Sequence, residues 1–449
     1  MLAALALAAA GSVRAGEAES LALWSDPEFE RQFLGTYGVN AEIEPRVTVV
    51  EKDLMEKVPA LMRAEGGLEK ASAFLEKNWK PASSAILDFT LGNIGFQQND
   101  LETAAAWYVW AIQKFPSFQR AHKNLGLVQV RAGAYDKAVV PLTRAIELGA
   151  TDGLTFGLLG YAYLMTERFS QAESAYRQAM MLQPDTVDWK LGLVRALFKE
   201  RKHEEAATLC GDLIRGDPSR PDYWLLQANA FLGMKQTLKA AENFEYLDFM
   251  GAANAQSLNT LGDIYVNEGL TELGADAYIR AIAKDPEGDP KRFLRDGEVL
   301  AARSAHADAS RLIARIKEAF GPRLGTEEKK RILKLEARLA AARGVAAEEQ
   351  MKLLQEIVAL DPLDGETLIL LGQREAAGGN VEKACFYYER AEGLDKYEAE
   401  ARLRHGQCLV RNSRYEEALP LLKRAQELRP RDDVARYVEQ VERAARARN

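Results

Sequence analysis

Lys291 and Arg295, in the stretch "PKRFLRDGE", stand four residues apart and share one face of any helix that spans them. Two cations so placed can meet a single anion, such as a carboxylate. The competing reading leaves both as solvated surface charges, which contribute little. Other residue combinations are weaker. "KHEEA" at 202–206 sets His203 beside two glutamates, but zinc-protease chemistry needs two histidines one helical turn apart. His203 therefore reads as a surface residue. His122, His306 and His405 are scattered, as are Cys210, Cys385 and Cys408, so no metal-ligand spacing appears. There is no G-x-x-x-x-G-K-[ST] and no G-x-S-x-G. The glycines of "LGLV", "LGYA" and "LGDI" recur at a fixed interval instead of crowding into a phosphate loop. No acid, base or nucleophile set emerges. The sequence points away from an enzyme, with neither cofactor nor metal expected.

The interval that spaces those glycines organises the whole chain. Windows of 34 residues start at 85, 119, 153, 187, 221 and 255, then at 290, 331, 365 and 399 after short insertions. Position 8 is Gly or Ala in eight of ten windows (Gly92, Gly126, Gly160, Ala228, Gly262, Gly297, Gly372, Gly406), and position 20 in nine of ten. Position 24 is bulky, as in Tyr108, Leu142, Tyr176, Phe244, Tyr278 and Tyr388. Pro116, Pro184, Pro218, Pro286, Pro362 and Pro430 close the second half of their windows, because proline cannot continue a helical hydrogen-bond ladder. The period reads as two antiparallel helices per unit, with small residues where the pair crosses closely. Pro141 and Pro420, early in a second helix, read as local irregularities. Windows 290 and 331 depart most: Asp296, Arg338 and Gln350 occupy normally apolar or small positions.

This pattern resembles the tetratricopeptide repeat family, whose consensus sets an aromatic at 4, Leu-Gly at 7–8, Tyr at 11, Ala at 20, an aromatic at 24, Ala at 27 and Pro at 32. The window at 153 carries it in Phe156, Leu159, Gly160, Tyr163, Ala172, Tyr176, Ala179 and Pro184. The resemblance implies an all-α fold, a right-handed α-α superhelix, and a protein or peptide partner held in a concave groove. First-helix positions that face that groove in the family fall here on Leu154, Leu158, Tyr161, Leu191, Leu225, Leu226 and Asn229. A rival reading packs several of these against the neighbouring repeat. Some family members also grip a terminal carboxylate. The matching positions are Asn229, Thr260, Lys291 and Arg295, with Leu225 where the first lysine would stand. Asn93 and Asn124 match two positions of a second such set, which lacks its basic residues.

The expected organisation is a leader at 1–16, an N-terminal segment at 17–84 holding a degenerate first repeat, and six repeats over 85–288. A degenerate repeat at 290–323, three more at 331–432 and a capping helix at 433–449 follow. The capping-box pattern Thr48–Glu51 opens a helix to about Met62, Gly66-Gly67 break it, and Leu68–Lys77 form the next. Leu2 to Ala10 is apolar and too short to span a bilayer, which needs ~20 residues. With Val13-Arg14-Ala15 before Gly16 it suggests export to a bacterial envelope or periplasm, although no cation precedes the apolar run. If the run is not a leader, the protein is cytoplasmic. Lys and Arg number 59 against 66 Asp and Glu, net -7, which disfavours nucleic acid as the main partner. No integral membrane span is expected. Cys385 and Cys408 could pair, or serve as small buried hydrophobes. The function expected is a non-catalytic protein-binding scaffold; the alternative is a structural subunit of an envelope or secretion assembly.

Overall fold

Thr48 opens the first helix by a reciprocal cap. Its hydroxyl accepts the Glu51 N–H at 3.3 Å, and the Glu51 carboxylate accepts the Thr48 N–H at 2.8 Å. The computed structural model describes Leu21, Trp24 and residues 44–448. The leader expected at 1–16 lies outside the described residues. Those described contain helices and no strand.

The chain divides into two units at Met250 and Gly251, between two repeats. The first unit holds α1 (Val49–Met62), α2 (Gly67–Asn78), α3 (Ala85–Gln97), α4 (Leu101–Lys114), α5 (Gln119–Arg131) and α6 (Tyr135–Glu147). It continues with α7 (Gly153–Met165), α8 (Phe169–Leu182), α9 (Val187–Lys199), α10 (His203–Gly216), α11 (Pro221–Gly233) and α12 (Thr237–Phe249). The second holds α13 (Ala255–Asn267), α14 (Thr271–Lys284), α15 (Pro290–Ala302), α16 (His306–Phe320), α17 (Thr326–Ala342) and α18 (Ala347–Leu360). It ends with α19 (Gly365–Ala377), α20 (Val381–Glu392), α21 (Glu398–Arg411), α22 (Tyr415–Leu428) and α23 (Asp432–Arg448). Within each unit the helix pairs stack as an α-α solenoid. A first helix packs on its own second helix and, in regular stretches, on the second helix of the repeat before.

Several first helices are started by a side chain that accepts a backbone N–H of the opening turn: Ser84, Asp152, Asn254, Asp289 and Asp364. The turn inside each pair is also uniform. Asn99, Gly133, Glu167, Arg201, Lys235 and Gly269, spaced by 34 residues, all take positive φ, as do Ser304, Gly344, Gly379 and Ser413 in later repeats. That backbone costs a non-glycine residue about 1–2 kcal/mol, so the packing of the pair overrides local preference.

The small residue at position 8 meets the bulky one at position 24 of its own repeat. A Cβ on Gly92 would sit 2.6 Å from the Tyr108 ring, one on Gly126 2.4 Å from Leu142, and one on Gly372 2.5 Å from Tyr388. The alanines Ala104, Ala138, Ala172, Ala206 and Ala240 at position 20 are wholly buried. Pro141 and Pro420 lie inside α6 and α22 without ending either. Val434 and Val441 of α23 are buried against the last repeat, as a cap requires.

Five expectations need correction or completion. The seven residues 324–330, between the windows at 290 and 331, form the exit of a 3-10 turn and the first turn of a 17-residue α17. Arg338 is exposed, and Ala337 beside it packs inward instead. Gln350, at a small position, is buried and donates to the Val345 carbonyl at 2.9 Å. His203 is half-buried against Phe198, with ring centroids 5.9 Å apart, and burial lowers its proton affinity. Cys210, Cys385 and Cys408 are free, buried thiols, so Cys385 and Cys408 act as core side chains.

Candidate functional site

Pro290 at the first turn and Asp289, whose carboxylate accepts the Lys291 N–H at 2.9 Å, fix the start of α15. Lys291 and Arg295 then fall in its first two turns, and both are exposed. Lys291 Nζ lies 3.7 Å from a carboxylate oxygen of Glu328 on α17. Thr260, on α13, is half-buried and turns its hydroxyl to the Gln256 carbonyl at 3.0 Å.

Beside these residues, within the second unit, is a pair of half-buried acids. Asp263 on α13 accepts the Tyr278 hydroxyl at 2.7 Å and faces Arg292 of α15 at 3.7 Å. Asp296, also on α15, has a buried carboxyl oxygen with no hydrogen-bond partner. Burial and the neighbouring Asp263 push Asp296 up to about 7, against the opposing pull of Arg292 and Arg295. Burial also raises Asp263, even though the Tyr278 hydrogen bond favours its ionised form. The result is a polar surface with two exposed cations at its edge and poorly solvated carboxyls behind them. Sequence reading missed Asp263, Arg292 and Tyr278. The one available signal was Asp296 at a normally apolar position.

Asn229 belongs to the first unit. It is half-buried on α11, as are Leu225 and Leu226, and Leu226 packs against the Val194–Cys210–Tyr223 cluster. Leu158 is 0% exposed and Tyr161 4%, so these two are core residues and not groove-lining ones. The reason is local: α7 is apolar on every side and packs directly against α5 and α9. Leu154 and Leu191 are half-buried at core edges. Asn93 and Asn124, the second asparagine set, serve each other. Asn124 donates to Asn93 at 3.0 Å, and Asn93 also accepts the Tyr108 hydroxyl at 2.6 Å.

Two sequence profiles, each described as a tetratricopeptide repeat, match the chain, one over 163–230 and the other over 89–153 and 369–433. The segments 89–153 and 369–433 contain the glycine contacts with Tyr108, Leu142 and Tyr388 given above. This is a tetratricopeptide-repeat protein. Solved structures of such proteins resemble it at low identity. A tetratricopeptide repeat protein from Parabacteroides merdae shares 18% identity, with 56% of this chain and 97% of that one aligned at a TM-score of 0.37. YrrB, a repeat protein with an unusual peptide-binding site, shares 22%, covering 45% and 95%, with a TM-score of 0.36. MamA from Desulfovibrio magneticus shares 15%, covering 38% and 97%, with a TM-score of 0.35. No curated protein matches the sequence. Tetratricopeptide-repeat proteins are in general non-catalytic scaffolds for protein–protein contact. Among the described residues no helix of this repeat protein is long and apolar enough to cross a membrane. Nor do three His, Cys, Asp or Glu side chains gather there as a metal site would require.

Proposed function

We infer that this tetratricopeptide-repeat protein is a non-catalytic scaffold that receives a partner's peptide segment on its first-helix faces. In the second unit the receiving residues are Lys291, Arg295 and Thr260; in the first they are Leu225, Leu226 and Asn229. The observation that carries the reading is the exposure of Lys291 and Arg295 together on α15. Their placement suits a carboxylate of the partner, which must compete with Glu328 for Lys291 at 3.7 Å.

The test is the double substitution Lys291→Ala with Arg295→Ala, measured by calorimetric titration with an isolated partner. Hydrogen bonds to charged groups contribute about 1.5–3 kcal/mol, so affinity should fall by more than about 1 kcal/mol and weaken further as salt rises. Unchanged affinity removes this pair from the site. Export is a separate part of the proposal and rests on the apolar run Leu2–Ala10. Protein recovered from a bacterial envelope fraction should begin near Gly16, and an intact Met1 there would refute cleavage.

A further inference from the structure

Every face of α3 is buried. Ile86, Phe89, Thr90, Asn93 and Phe96 stand at the first-helix positions that line the groove in this family, yet none is more than 6% exposed. Part of what covers them comes from Leu21 and Trp24, ahead of α1. Leu21, itself 6% exposed, joins the apolar cluster that contains Ile86, Phe89 and Phe96. Trp24 packs on the same cluster, its ring 5.8 Å from the guanidinium of Arg131, which also faces Phe96 at 4.9 Å.

A second anchor lies at the other end of α5. Glu44, with its side chain only 9% exposed, pairs with Arg120 at 2.5 Å, and that guanidinium lies 5.2 Å from the Phe89 ring centre. Beside it the Ser84 hydroxyl donates to the Arg46 carbonyl at 2.8 Å, and Val47 packs on the cluster. Arg120 and Arg131 are eleven residues apart, about 16 Å along a helix. An aromatic ring on a guanidinium, a carboxylate on an arginine and an apolar side chain in a cluster are the contacts a bound peptide makes.

We propose that Leu21 and Trp24 at one end, and Glu44 at the other, together act as an intramolecular ligand of the α3–α5 face. A partner reaches this face only by displacing it. Such a partner carries an apolar or aromatic side chain for the Arg131–Phe96 end and a carboxylate for Arg120. Tethering gives the internal ligand an effective concentration on the order of mM, and an external peptide's apparent affinity falls in proportion to the open fraction. The proposal shares no residue with the α13–α15 site, so either can fail alone.

A labelled synthetic peptide of residues 17–47 is titrated into the full chain and into the full chain carrying Leu21→Asp with Trp24→Ala. Opening the face should tighten binding by about tenfold or more. Arg120→Glu in the opened chain should abolish that gain, and a peptide carrying Glu44→Arg should restore it. Where the apolar substitutions lower the yield of folded chain, Glu44→Arg alone releases one anchor and should shift affinity in the same direction. Equal affinity for wild-type and opened chains, or no binding to any of them, overturns the proposal and makes Leu21 and Trp24 fixed parts of the core.

Discussion

Asp296 puts a carboxyl group where the repeat ordinarily sets an apolar side chain, and its consequence is a dependence of stability on pH. The groups facing it are Asp263 from α13, and Arg292 and Arg295 from its own helix, with Tyr278 of α14 bonded to Asp263. Its folded-state proton affinity is raised to about 7, whereas an unfolded aspartate titrates near 3.9. The folded chain therefore holds a proton that the unfolded chain has lost. Stability from this group is complete below about pH 4 and is lost as pH rises through about 7. Urea melts should show wild-type stability falling between pH 5 and pH 8 by on the order of 2 kcal/mol from this source. Asp296→Asn should flatten that fall. An equally steep fall in the variant would mean that the carboxyl is solvated and ionised throughout. The oddity of Asp296 was legible in the sequence, and so was the shared face of Lys291 and Arg295. The partnership with Asp263 and Arg292 was not, because a 34-residue period says which positions are small and nothing about which polar groups meet across helices.

Helix pairs here are matched by complementary volumes, and the match is specific enough to measure. Gly126 leaves room for Leu142, which is wholly buried. Gly126→Ala forces a methyl group to within 2.4 Å of the leucine side chain, an overpacking cost of about 1–3 kcal/mol. Leu142→Ala opens a cavity at a cost of about 2–5 kcal/mol. Combined, the two changes relieve each other, so the double variant should lose at least ~1 kcal/mol less than the sum of the singles. Strict additivity in chemical denaturation would refute the contact. At this scale most of the structure was readable. The prolines marked the ends of second helices, and the glycine–aromatic spacing marked the crossings. The register of α17 was not, since a seven-residue spacer can extend a loop or a helix equally well. Nor was the positive-φ turn, because Asn, Glu, Arg, Lys, Ser and Gly all occupy it and only the packing on either side imposes it.

A repeat array offers two kinds of surface, first-helix faces and second-helix faces, and the exposed Lys291–Arg295 pair lies on the first. Composition supports a solvated scaffold, with a net charge of -7 and no run of one sign. It does not say which face is used, and the groove roles that the family resemblance implies for Leu158 and Tyr161 are taken away by their burial. That error has a physical origin. In the first unit the first helices pack on one another, so a position facing outward in a looser stack faces a neighbour here. Lys291 and Arg295 remain exposed on α15, Leu225, Leu226 and Asn229 stay half-buried on α11, and the α3–α5 face opens only once its internal ligand is gone. The most direct test is hydrogen–deuterium exchange of the full chain with and without a captured partner. New protection should centre on α13 and α15 and shrink when Lys291 and Arg295 are both alanine. Protection confined to the second helices α14 and α16, and unchanged by that substitution, would contradict binding on the first helices.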